Sequence, residues 1–304
     1  MSDATSRNGL RGTGTSRGTL SGVSAYLMWG VLTAYWKLLD DFDAFELIGW
    51  RVVTAVVLLF VLVAVQGKVR VVIAALADPQ MLLRVSLASL LLATNWTLYV
   101  WAVVNEHVIE TALGYFIAPL LTSSLGVVVL REPLRALQKV AIGFAAAAVA
   151  VMSFAYGRPP LVALAIAASW AVYGLLKKQV SLGPVESLTA ETIVLAVPAL
   201  VLVAMSFGRA DGIPATASAG QWVLVLFTGL ITAVPLLLFA HSALRLPLTI
   251  IGPLQYFVPV INFLLGWLAY NEDLQPSRVV GFVLVWIGLG LTLFDTMRRR
   301  VAVS

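Results

Sequence analysis

The sequence predicts an all-α integral membrane protein. Ten transmembrane helices form two inverted five-helix halves, with both termini cytoplasmic. Three observations predict it. The 304 residues are 60% hydrophobic and only 12% charged, whereas soluble domains are roughly 45–50% apolar and about 25% charged. Ten apolar runs follow one another, mostly near the roughly 20 residues a spanning helix needs. Finally, the chain repeats its landmarks at a constant offset of 140 residues, as Pro119 and Pro259 illustrate.

Residues 1–18 are rich in Ser, Thr, Gly and Arg. They hold too little apolar material to bury and are read as a disordered basic tail. A basic segment before an apolar run can also be a cleaved signal peptide. The run from Leu20 instead reaches Trp36-Lys37 with no small-x-small cleavage site, so a retained first helix is expected. The runs lie near 20–38, 46–66, 81–103, 109–130, 137–156, 160–177, 187–207, 220–240, 248–270 and 277–295. They divide into a first repeat, 19–156, and a second, 157–296, with a basic cytoplasmic tail at 297–304. Membrane-barrel strands would be about 9–11 residues of alternating polarity. These runs are longer and apolar on every side, so helices are preferred.

Lys and Arg favour one side of this topology. Arg7, Arg11, Arg17, Lys68, Arg70, Arg84, Arg131, Arg135, Lys139, Lys177, Lys178, Arg245 and Arg298–Arg300 make 15 on one side. Lys37, Arg51, Arg158, Arg209 and Arg278 make 5 on the other, beside the acidic loop Asp40-Asp41-Phe42-Asp43. The positive-inside rule then places both termini in the cytoplasm. It also accounts for the net charge of +5 without nucleic acid as a partner.

The stretch Thr111–Leu134 anchors the repeat, with Pro119 inside an apolar run that stops at Arg131-Glu132-Pro133-Leu134. At the same offset Lys37 meets Lys177, Glu46 meets Glu186, Glu132 meets Glu272 and Leu134 meets Leu274, and VLVA recurs at 61–64 and 201–204. Five helices per half is an odd number, so the second half enters from the opposite side. Inverted halves of this kind place a binding site near the midplane between them. Glu132 and Glu272 are expected to cap the inner and outer ends of equivalent helices.

Within the runs, ionisable groups need a partner, water or an interface. Arg51, early in the second run, either snorkels to the headgroups or lines an outer vestibule, paired with Glu46 or the Asp40–Asp43 loop. Its repeat mate Glu191 either sits at the interface or carries a coupled proton. Lys37 and Lys177 are interface anchors or attract anionic substrates. Glu110 suits a helix N-terminus. His107 and His241 lack a third nearby ligand, so no metal is expected. Asn95 and Tyr99 share a helical face. With Trp96 they either pack between helices or form a cavity wall. Tyr115 precedes Pro119, and Gln255 and Tyr256 precede Pro259. A proline frees a carbonyl one turn earlier, and aromatic rings with a few amides and hydroxyls suit flat amphiphilic ligands. Trp29 joins that wall or packs against a neighbour.

The residues AYLMWGVLTAYWKLL, ELIGWR, NWTLYVWAVVNEHVIETALGYFIAPL, YGLLKKQV, GPLQYFVPV and GFVLVWIGLGLTLFD resemble the RarD branch of the EamA drug/metabolite transporter superfamily. The resemblance runs from Leu20 to Asp295. It implies a ten-helix permease of two EamA repeats in a bacterial plasma membrane. It further implies a cavity lined by the first, third, fourth, sixth, eighth and ninth helices, with the fifth and tenth peripheral. The expected function is a secondary transporter of small organic metabolites or drugs by alternating access, with proton coupling open. The expected partners are that substrate and the lipid bilayer, and a homodimer is an open assembly. No cofactor is expected. No Walker motif points to ATP drive. An intramembrane enzyme is disfavoured because HExxH and cysteine are both absent. A non-transporting sensor or scaffold is the remaining alternative.

Overall fold

The computed structural model describes residues 3–130, 136–157, 159–177, 179–243 and 254–303. These are helical, with no strand among them. The first half holds α1 (Asp3–Lys37), α2 (Ala44–Val65), α3 (Val69–Ala77), α4 (Pro79–Val104), α5 (Val108–Leu130) and α6 (Ala136–Tyr156). The second holds α7 (Leu161–Lys177), α8 (Pro184–Ser206), α9 (Ile213–Thr216), α10 (Ala219–Ala243), α11 (Phe257–Leu264) and α12 (Pro276–Val303). A π-turn, Leu265–Ala269, extends α11. The described helices follow the predicted runs in order, residues 248–253 of the ninth run lying outside the described residues, and the short α3 and α9 are additional to the runs.

Among the described residues, four helical stretches are long and apolar enough to cross a membrane: Ala44–Val65, Pro79–Val104, Pro184–Ser206 and Ala219–Phe239. Local sequence encodes the starts of two of them. The Asp43 carboxylate accepts from the N–H groups of Phe45 and Glu46 at 3.0 and 3.2 Å, capping α2. Asp78 caps α4 through the Gln80 N–H at 3.1 Å, and Pro79 fills a position where no N–H is needed. α1 starts at Asp3 and α12 ends at Val303. Helix thus continues through residues 3–18 and 297–303, which the sequence marks as tails. Arg131, Glu132, Leu134, Arg135, Arg158, Lys178 and Arg245 lie outside the described residues.

The packing respects the repeat. α1 packs on α10 and α11, and their equivalents, α7 with α4 and α5, do the same. α2 packs on α10 as α8 packs on α4, while α2–α8 and α6–α12 are self-paired across the pseudo-axis. Small residues permit these crossings. A Cβ on Gly229 of α10 would lie 2.6 Å from the Thr54 carbonyl carbon on α2. At the equivalent position on α4 stands Ser89, whose hydroxyl donates to the Val85 carbonyl of its own helix at 2.7 Å and approaches the Glu191 carbonyl of α8 at 3.2 Å. α6 and α12 pack chiefly against each other.

The connections gather at two ends. At one, Glu46 accepts the Ile213 N–H at 2.6 Å and Gln221 donates to Asp41 at 3.0 Å. At the other, Lys68 pairs with Glu186 at 2.5 Å and Arg84 donates to the Gln179 carbonyl at 3.1 Å. Glu46 and Glu186 are repeat mates, and each ties its helix to a connection of the opposite half.

Candidate functional site

Between the halves, apolar helices bring together single polar side chains. In water such groups would be solvated, and in the bundle each must find a protein partner. Asn95 is buried on α4, and its amide donates to the Ile166 carbonyl and the Ser169 hydroxyl on α7 at 3.0 and 3.1 Å. Its carbonyl accepts from the Tyr115 hydroxyl on α5 at 3.2 Å. One turn along α4, Tyr99 meets Thr33 of α1 at 2.8 Å. Thr33 donates to Asn262 of α11 at 2.7 Å, so its single proton is spent and Tyr99 must be the donor between them. Asn262 donates to Thr111 on α5 at 3.1 Å. The Tyr99 and Tyr115 rings, 6.0 Å apart and edge to face, join the two networks. Both halves are therefore linked through hydroxyls and amides in the middle of the bundle.

Arg51 lies beside this centre and is only 6% exposed. Its guanidinium carbon sits 4.1 Å from the Trp96 ring centroid and 5.3 Å from that of Trp36. Its Nε donates to Thr232 on α10 at 3.1 Å. Thr232 in turn donates to the Thr228 carbonyl at 2.8 Å, which leaves its oxygen free to accept. The guanidinium thus turns into the bundle and does not snorkel. The expected pairing with Glu46 or the acidic loop is not formed: Glu46 holds Ile213, Asp43 caps α2 and Asp40 holds Lys37 at 3.2 Å. Each of these carboxylates is taken by a backbone or lysine donor of its own end.

Glu191, at the equivalent position on α8, is fully buried. Its carboxylate meets Lys177 at 2.5 Å and accepts from Ser187 at 2.9 Å and Tyr173 at 3.0 Å. Lys177 also contacts Ser187 directly. That lysine is therefore tied to a carboxylate of the neighbouring helix and does not stand alone at an interface. Lys37 faces the other end. It lies 5.6 Å from the Tyr270 ring and helps line a depression of about 460 Å³ with Ala34, Leu38, Asp40, Glu106 and Tyr270.

The other expected wall residues lie apart from the central network. Trp29 packs edge-on with Tyr26 and against Phe239, at 5.3 and 5.8 Å between ring centroids. Gln255 is exposed. Tyr256 is half-buried against the α5–α12 cluster. Pro119 and Pro259 lie inside α5 and α11, but the two helices are joined by the Thr111–Asn262 bond. Glu272 caps a different helix from its own: its carboxylate accepts from the N–H groups of Val108 and Ile109 at 2.6 and 2.8 Å, at the start of α5. Sequence reasoning misses Thr33, Thr111, Ser169, Thr232 and Asn262 as site residues. Their signal is an isolated polar side chain within an apolar run. Among the described residues no group of three or more His, Cys, Asp or Glu could hold a metal ion.

A sequence model of the EamA-like transporter family matches this chain twice, over residues 16–154 and 158–294. Protein RarD of Streptomyces exfoliatus is 42% identical over 284 residues, which cover 92% of this chain and 89% of that protein. The uncharacterized transporter YojE of Bacillus subtilis is 37% identical, covering 95% and 97%. The chloramphenicol-sensitive protein RarD of Pseudomonas aeruginosa is 27% identical, covering 93% and 96%. A solved crystal structure shares the fold, with a TM-score of 0.62 at 19% identity over 93% of this chain and 99% of that one.

Proposed function

Because the chain belongs to the EamA-like transporter family, with RarD relatives spanning nearly its whole length, we propose that it is a secondary carrier of small organic molecules. It works by alternating access across a bacterial plasma membrane, with ten spans and both termini cytoplasmic. The observation that carries this reading is the polar centre between the halves, where Asn95, Tyr99 and Tyr115 meet Thr33 and Asn262. Bonds of this kind can be exchanged for bonds to a solute at little net cost, because each partner replaces another of similar strength. Inverted halves then supply two equivalent gates.

The two ends fit a carrier open on one side. The depression beside Lys37 and Tyr270 lies at the outer end of the proposed topology. The Lys177–Glu191 pair draws α7 to α8 at the inner end. In this reading Glu191, through its pairing with Lys177, is the candidate for coupling transport to a pH gradient.

Purified protein in liposomes tests the proposal. Uptake of amino acids, aromatic metabolites and amphenicols is measured with and without a pH gradient. At least one class should exchange faster than in empty liposomes, and Asn95→Leu should slow it. Equilibration of every compound at the empty-liposome rate would contradict a carrier.

A further inference from the structure

We propose that the solute bound by this carrier is an organic anion, held through a carboxylate by the guanidinium of Arg51. This deepens the carrier reading and rests on it for the word solute, although the binding site stands on separate observations.

A charge within the bundle requires a counter-charge or strong hydrogen-bond partners. The repeat gives an internal comparison. Glu191, at the same position of the second half, has a lysine, a tyrosine and a serine on its carboxylate. Arg51 has one bond, from Nε to Thr232, and no carboxylate among the described residues. The Trp36 and Trp96 rings offset part of its charge through their π faces. Rings accept no in-plane N–H bond, however, so the fork of terminal N–H groups still lacks acceptors among the described residues.

A second donor nearby is also unused. Trp36 is 0% exposed, and its indole N–H has no partner among the described residues. Two sets of donors beside each other, with no acceptor for either, call for a ligand rich in acceptor oxygens. A guanidinium fork matches the two oxygens of a carboxylate. The flanking tryptophans suit a flat apolar body attached to it.

The test compares benzoate and phenylacetate with benzamide and benzylamine as ligands of the detergent-purified protein, at matched ionic strength. The readout is the thermal midpoint against ligand concentration. The carboxylates should raise it, and the amide and amine should not. Arg51→Lys keeps the charge and loses the fork, and should weaken carboxylate binding about tenfold, the scale of one charge-assisted bond. Arg51→Gln should abolish the shift, whereas Arg209→Gln, at an exposed cation, should retain it. If Arg51→Gln does not fold, Arg51→Lys and the ligand series decide. Equal shifts with benzamide, no shift with either carboxylate, or full carboxylate binding by Arg51→Lys would overturn the proposal. Exchange of the same compounds in liposomes separates the two readings. Exchange of amides or amines without carboxylate binding leaves a carrier and removes the anion site. Carboxylate binding through Arg51 with no exchange leaves the site and removes the carrier.

Discussion

Glu191 and Asn95 show what one polar residue does among apolar helices. Glu191 is buried with Lys177, Ser187 and Tyr173 as donors. Removing the cation leaves the carboxylate uncompensated, which costs more than removing both groups. Lys177→Met is therefore expected to lower the thermal midpoint, and Lys177→Met with Glu191→Gln to recover most of the loss. Thermal unfolding of the native chain and the two variants checks this. Asn95 makes three side-chain bonds, to α7 and α5. Interhelical bonds of this kind contribute about 1 kcal/mol in membranes. Asn95→Leu should thus remain folded by size-exclusion profile while losing most solute exchange.

At the scale of elements, Glu272 pins the start of α5 to the end of α11. Its two bonds satisfy N–H groups that the helix itself leaves free. Glu272→Ala should cost about 1–2 kcal/mol, as loss of a helix cap does. Burial raises the Glu272 carboxyl above its ordinary 4.5, against the opposing pull of the Ile109 and Val108 N–H groups. A raised folded value means the folded state binds the proton more tightly than the unfolded one. Its contribution is full below about 4.5 and is lost as pH rises through the folded value. Thermal midpoints against pH should show that slope in the native chain and a shallower one in Glu272→Gln. The sequence announces Glu272 as a turn residue but not the helix it caps, because the capped N–H groups lie 163 and 164 residues away. Sequence misplaces Arg51 for the same reason. It offers the carboxylates nearest in the chain, whereas the fold supplies Thr232, 181 residues on, and two indole rings. Asn95 with Tyr99 is legible because i, i+4 spacing fixes a shared face whatever the tertiary fold. Gln255 is not, since its exposure depends on how the π-turned α11 sits against α5.

For the whole molecule, the repeat is the organising fact. Composition and run length make a helical membrane protein legible, and the constant offset makes two halves legible. The swapped packing of α1 on α10 and α11, and of α7 on α4 and α5, follows from that repeat. Ala34 and Gly174 are repeat mates: Ala34 lines the depression beside Lys37 and Tyr270, and a Cβ on Gly174 would meet open space. The chain has no cysteine, so each can be replaced singly. Ala34→Cys and Gly174→Cys, labelled in sealed vesicles by a membrane-impermeant maleimide from either side, test inverted alternating access directly. Ala34→Cys should react from outside and Gly174→Cys from inside, with any condition that raises one lowering the other. Reaction of both from the same side, or of both fully and independently of each other, would contradict it.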